Sequence, residues 1–150
     1  MTDTTAPRGL IMPDWLELLL RFLVGGTFVY ASLDKITDPA AFAQAIYHYR
    51  MIDGALLHPM ALVLPWLELS TGLAMIMGLA RRGSALLISL MLLVFMAAIA
   101  SALARGLDIS CGCFDTENGH VVGLSLLFRD TAMLAGSLAL LINRDVRRTF

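Results

Sequence analysis

Residues 83–104 run for twenty-two positions without a charge, GSALLISLMLLVFMAAIASALA. At 1.5 Å rise per residue, a helix of that length crosses a hydrocarbon core of roughly 30 Å. A chain of 150 residues folding in water has too little interior to hide such a segment together with the rest of its apolar surface. Hydrophobic residues make up 58% of the sequence and charged ones only 15%, against roughly 25% charged in soluble domains. The solvent these numbers call for is a bilayer. Eleven Lys and Arg against twelve Asp and Glu leave a net charge of -1, so no basic field exists to attract nucleic acid. The composition also excludes a disordered chain and a cysteine-stapled secreted scaffold.

Three further apolar stretches follow the same logic. Residues 54–80 are interrupted by one charge, Glu68; residues 15–33 contain Glu17 and Arg21; residues 121–142 contain Arg129 and Asp130. The expected fold is all-α, an integral membrane four-helix bundle. Between spans one and two, Asp38 followed by Pro39 is a helix-start signal. Residues 37–52 then place Phe42, Ile46 and Tyr49 along one face, the pattern of a short interfacial amphipathic helix with Tyr47 and Tyr49 at headgroup level. Glu17 and Arg21 interrupt the first apolar segment and no A-x-A-like site follows it, so it is expected to remain as a span. With four spans, Arg8, Arg81, Arg82, Arg144, Arg147 and Arg148 share one side, and Lys35, Arg50 and Arg105 the other. This bias predicts both termini in the cytoplasm of a bacterial inner membrane, with the segment from Gly106 to His120 on the periplasmic side. The expected organisation is a cytoplasmic tail over residues 1–12, one membrane domain over 13–143 and a basic cytoplasmic tail over 144–150.

Ionisable groups inside a bilayer cost about 2.5–3.5 kcal/mol each on insertion scales and face the bundle interior or water. Asp14, Glu17, Arg21, Gly25, Phe28, Ser32 and Lys35 recur at steps of three and four and fall on one stripe of the first helix. Glu17 reaches Arg21 at i, i+4, but a bidentate carboxylate from another helix would satisfy the guanidinium better, and Glu68 and Asp130 are the expected partners. Arg129 is left to snorkel or to find an acidic residue elsewhere. Two roles are open for these charges: ion pairs that fix helix register, or the polar lining of a cavity, with Arg21, Glu68 and Arg129 as the residues that would hold the head of a quinone. Small residues spaced four apart, Ala97 and Ser101, Ala98 and Ala102, Ala100 and Ala104, together with Gly25, Gly26, Gly72, Gly78 and Gly136, are expected to serve close packing.

The most chemically specific stretch is DISCGCFDTENGH, residues 108–120. Cα atoms two residues apart are at most about 7 Å from one another, and a disulfide needs roughly 4.4–6.8 Å. A Cys111–Cys113 bridge would therefore be strained, with Gly112 supplying backbone freedom, and strained bridges are the more readily reduced ones. Such a pair suits thiol–disulfide exchange better than stabilisation, because the loop it closes is tiny. Asp108, Asp115 and Glu117 work against a very reactive thiolate. Two other roles stay open: an incidental pair, or a soft-metal site of two thiolates. The nine methionines do not favour the latter, since Met75, Met77, Met91, Met96 and Met133 are scattered through the spans. His120 would serve as a base only if the loop folded back; His48 and His58 carry still less.

The first span RFLVGGTFVYASLDKITDPAAFAQAIYHYRMI, then PWLELSTGLAMIMG, then RGLDISCGCF, resembles the MauE family, methylamine-utilisation membrane proteins grouped with DoxX-like proteins. The resemblance covers about residues 15–142. It singles out Arg21, Gly25, Phe28 and Lys35, then Phe42 and Tyr49, then Pro65 and Glu68, then Cys111, Gly112, Cys113 and Phe114, and finally Arg129. Asp115 stands where many relatives continue with glycine. The resemblance implies a four-helix membrane protein associated with thiol redox chemistry: MauE-type proteins assist maturation of periplasmic methylamine dehydrogenase, and DoxX-type relatives are linked to quinone-dependent sulfur oxidation. The function expected is that of a membrane thiol–disulfide oxidoreductase or redox maturation factor. Its partner would be a periplasmic thiol or disulfide protein, thioredoxin-like or a dehydrogenase subunit. No cofactor is required by the residues, a quinone is the one candidate, and no metal site is assigned. A non-enzymatic membrane scaffold, or a small-solute or metal carrier, is the alternative.

Overall fold

The computed structural model describes residues 12–106 and 124–142. Among them the chain forms five helices and no strand: α1 Asp14–Thr37, α2 Pro39–His48, α3 Gly54–Met77, α4 Arg81–Ala104 and α5 Leu124–Ile142. Helices α1, α3 and α4 are each 24 residues long and apolar enough to cross a membrane. The all-helical membrane architecture expected from the sequence is thus what the structure has.

Local chemistry sets the boundaries. The carboxylate of Asp38 accepts a hydrogen bond from the Ala41 amide at 3.0 Å and Pro39 occupies the first turn of α2, as the Asp-Pro signal predicts. At the other end of α3, Gly78 takes φ +75°, and the Leu79 amide turns back to the Ala74 carbonyl at 2.9 Å. That left-handed closure is where glycine is favoured. Pro59 and Pro65 lie inside α3 without ending it, a tolerance typical of membrane helices whose neighbours re-satisfy the freed carbonyls.

The four long helices close a ring in which α1 packs on α3, α3 on α4, α4 on α5 and α5 on α1, while α2 rests on α3 and α1. Sequential members run antiparallel: Arg21 near the start of α1 meets Met75 and Ile76 near the end of α3, and Ser137 late in α5 bonds to Ala85 early in α4. The bundle therefore has one end built from the beginnings of α1 and α4 and the finish of α3. The opposite end holds the finish of α1 and α4, the beginnings of α3 and α5, and α2. Its core contains Val24, Phe28, Met75, Ala85, Ile88, Leu92 and Leu140. Outward faces expose Phe22, Leu23, Leu62, Val63, Leu86 and Leu93, a surface suited to lipid tails.

Close packing falls on two glycines above all. A Cβ on Gly25 would lie 2.8 Å from the Gly72 carbonyl oxygen, and one on Gly72 would lie 2.9 Å from that of Gly25, so α1 and α3 approach backbone to backbone. The other small residues divide. Ala102 is fully buried and Gly136 sits against Leu20 and Val24, but Ala97, Ala100 and Ala104 are exposed and nothing approaches Gly26. Gly78 closes α3 and also leaves room for the Arg21 side chain of α1. Between α4 and α5 the apolar contact includes a polar one: the Ser89 and Ser137 hydroxyls lie 2.9 Å apart, and Ser137 donates to the Ala85 carbonyl at 2.9 Å.

Three expectations are corrected. The first helix does not stop near Leu33 but runs to Thr37, which keeps Lys35 on the inward stripe that its spacing predicts, 5% exposed, and removes it from the charges counted for the outer side. Tyr47 is exposed as a headgroup-level tyrosine would be, whereas Tyr49 is buried; it follows Phe42 and Ile46 onto the inward face of α2. Arg21, finally, pairs with neither Glu68 nor Asp130. Its side chain follows α1 back to the end of α3, where the turn at Gly78 presents helix-terminal carbonyls.

Candidate functional site

The polar stripe of α1 faces inward as its spacing predicts: Glu17, Gly25, Phe28, Ser32 and Lys35 are buried, while Asp14 at the helix start is exposed. The stripe's two ends meet different partners, which separates its charges into two sites.

At the first end, Glu17 forms ion pairs with Arg81 at the start of α4 and, at 3.9 Å, with Arg21. Arg21 spends its other donors on α3: Nε reaches the Met75 carbonyl at 3.1 Å and Nη2 the Ile76 carbonyl at 3.1 Å. A cation on the carbonyl terminus of a helix is stabilised by the unpaired C=O groups and their dipole. A Cβ at Gly78 would collide with the Arg21 guanidinium, so the same glycine closes the helix and makes room for its cap. The arrangement ties α1, α3 and α4 together.

The second end holds the candidate site. Lys35 Nζ donates to both Glu68 oxygens, at 2.8 and 2.7 Å, and lies 5.0 Å from the centre of the Phe42 ring. Both partners are buried, and a pair of this kind in a membrane interior is stable only when geometry and hydrogen bonding are good. On α5, Arg129 Nε and Nη2 donate to Asp130 Oδ1 at 3.1 and 2.9 Å. Asp130 is 2% exposed, and its Oδ2 has no hydrogen-bond partner among the described residues. These two pairs line one cavity of about 50 Å³ together with Thr27, Phe28, Met91, Phe95 and Met133. That is room for a few waters, the usual remedy for a buried oxygen lacking a partner. Two cations and two anions thus face one small space, a balanced set able to hold water or a polar head group without taking on net charge.

Of the residues proposed to line a polar cavity, the structure brings Glu68 and Arg129 together and leaves Arg21 at the far end. Lys35 and Asp130 complete the group. Lys35 is legible as a member of the α1 stripe, three residues beyond Ser32. Met91 and Phe95 carry no sequence signal beyond being apolar. His48 and His58 are exposed, and among the described residues no group of three His, Cys, Asp or Glu side chains could hold a metal ion. Cys111, Cys113 and His120 lie outside the described residues, as do residues 1–11 and the basic residues after 142.

The comparisons with known proteins bear on the family. The profile described as methylamine utilisation protein MauE matches residues 13–143. The chain is 30% identical over 122 residues to the methylamine utilization protein MauE of Paracoccus denitrificans, covering 81% of this chain and 66% of that protein. It is 35% identical over 98 residues to the protein of the same name from Methylorubrum extorquens, covering 65% and 52%. Against the one from Methylophilus methylotrophus it is 32% identical over 84 residues, 55% and 44%. The chain therefore spans between 44% and 66% of the length of these curated relatives. No solved structure matches it significantly. With an all-helical bundle, apolar spans and a profile that takes in all five helices, the chain belongs to the MauE family of methylamine-utilisation membrane proteins.

Proposed function

We propose that this chain is a thiol–disulfide redox factor of the bacterial inner membrane, with Cys111 and Cys113 as the exchanging pair and a periplasmic protein of methylamine utilisation as its partner. Residues 13–143 form the membrane unit, α5 is its fourth span, the flanking tails are cytoplasmic and the cysteine segment faces the periplasm. The observation that carries this reading is positional. The segment between α4 and α5, which contains both cysteines, is attached at the bundle end where Arg105 bonds to the Tyr49 carbonyl and where Lys35, Glu68, Arg129 and Asp130 surround a cavity. A charged chamber inside a membrane bundle has a high cost unless it is used, and it lies at the end to which the redox-capable segment is tied.

In the exchange, a thiolate of one protein attacks a sulfur of the other's disulfide, giving a mixed disulfide and expelling one thiolate. The second thiol of the attacking protein then resolves it. Two electrons and two protons pass from the dithiol that is oxidised to the disulfide that is reduced. A quinone in the membrane is the two-electron acceptor or donor that resets the Cys111–Cys113 pair. The partner is a thioredoxin-like protein or a dehydrogenase subunit, recognised by its own cysteines.

The test is trapping. Membranes carrying Cys113→Ala or Cys111→Ala are alkylated and run without reductant, and one of the two variants is expected to accumulate a mixed disulfide with a periplasmic protein. Absence of any such adduct in both, together with full complementation by the double Cys→Ser variant, would reduce the chain to a membrane scaffold.

A further inference from the structure

A second cavity, about 350 Å³, adjoins the charged one and shares Glu68, Met91 and Phe95 with it. It occupies the gap between α2 and α4 over the face of α3: α2 rests on α1 and α3 but does not pack on α4. Phe42, Ile46 and Tyr49 form one wall, Met60 and Leu64 the floor, and Val94 and Ala98 the opposite wall. Leu90 and Val94 also belong to the exposed face of α4, so the chamber opens sideways, toward where lipid tails would be. A strap spans the gap at one end, where Arg105 Nη2 donates to the Tyr49 carbonyl at 2.6 Å. The result is an apolar compartment of ligand size with a lateral entrance and a single charged point, Glu68, at its inner wall.

The charge at that wall decides what fits. Glu68 is neutralised by Lys35 and Asp130 by Arg129, so an anionic phosphate or carboxylate head would lose its hydration and gain no net attraction. A neutral head avoids that loss; the ammonium that holds both Glu68 oxygens is that of Lys35, which lines the adjoining smaller cavity and not this chamber. A long apolar tail leaves through the opening between α2 and α4. We propose that this chamber binds an isoprenoid-tailed quinone, ring toward Glu68 and tail toward the bilayer. The choice of a quinone among neutral amphiphiles rests on the thiol redox function proposed above; the chamber and its preference for a neutral head do not.

The experiment uses the full chain with Cys111→Ser and Cys113→Ser in phosphatidylcholine nanodiscs, so that binding is read apart from thiol chemistry. A decyl-tailed benzoquinone is titrated by calorimetry, with palmitate, dodecanol and phosphatidylglycerol as comparison ligands. Saturable binding of one quinone per chain is expected. Ala98→Trp, which fills the chamber, should weaken it by about tenfold or more, while Ala97→Trp on the exposed face should not. If Ala98→Trp does not fold, Leu64→Phe and the comparison ligands decide. Quinone affinity unchanged by a folded chamber-filling variant, absence of saturable quinone binding, or palmitate, dodecanol or phosphatidylglycerol binding as tightly as the quinone would each overturn the proposal. Quinone binding intact with no mixed disulfide formed by either single cysteine variant would overturn the redox function and leave the chamber standing.

Discussion

Lys35 on α1 grips both carboxylate oxygens of Glu68 on α3, a contact between residues thirty-three positions apart that lies under the ring of Phe42 from α2. Three helices thus meet at one buried ion pair, and its Glu68 borders both the charged cavity and the apolar chamber.

Breaking that pair from one side leaves an unpaired charge in the interior, a loss of about 3–5 kcal/mol. Lys35→Met or Glu68→Gln alone should lower the thermal midpoint of the detergent-purified protein sharply. The double variant Lys35→Met with Glu68→Met should recover most of the stability, because a packed apolar pair replaces a charged one. A single variant melting with the wild type would mean that the pair does not hold α1 to α3.

Gly25→Ala and Gly72→Ala each push a methyl against a backbone carbonyl of the opposite helix. Overpacking of this kind costs about 1–3 kcal/mol, since neither backbone can retreat without opening the core around Phe28 and Met75. Gly26→Ala, which meets nothing within 4 Å, is the control and should unfold like the wild type. Equal stability for all three variants would contradict the close α1–α3 crossing.

Arg105→Ala removes the strap to the Tyr49 carbonyl. The loss is on the order of 1 kcal/mol for a partly exposed charged donor, and hydrogen exchange is the measurement. Amides of α2 should exchange about fivefold faster while those of α1 are unchanged. Faster exchange spread over every helix would point to global destabilisation instead.

Replacing both Cys111 and Cys113 by serine should leave helical content and thermal midpoint unaltered, because a bridge between such near neighbours constrains almost no chain entropy. A midpoint drop of several degrees on the double substitution would assign the cysteines to stability.

Much of the architecture was legible because helices leave periodic traces. The stripe from Glu17 to Lys35, the Asp38-Pro39 start and the Gly25 and Gly72 contacts could all be read from spacing and local chemistry. What escaped was pairing between helices, which has no period. Arg21 had two attractive carboxylates in the sequence and took the carbonyls that the turn at Gly78 leaves unpaired. Arg129 and Asp130 are adjacent, a spacing that ordinarily points side chains apart, yet the long guanidinium curls back to its neighbour. The apolar chamber depends on α2 standing off α4, a tertiary distance that no local pattern encodes.

The pairing of Lys35 with Glu68 and of Arg129 with Asp130 has an electrical consequence. A lone charge moved across a membrane exchanges about 2.3 kcal/mol with each 100 mV of potential, whereas two cations and two anions moving together exchange none. The bundle can breathe around its chamber without the membrane voltage driving it open or shut. Neutralising any one of the four side chains would leave one net charge there and make any such motion sensitive to voltage.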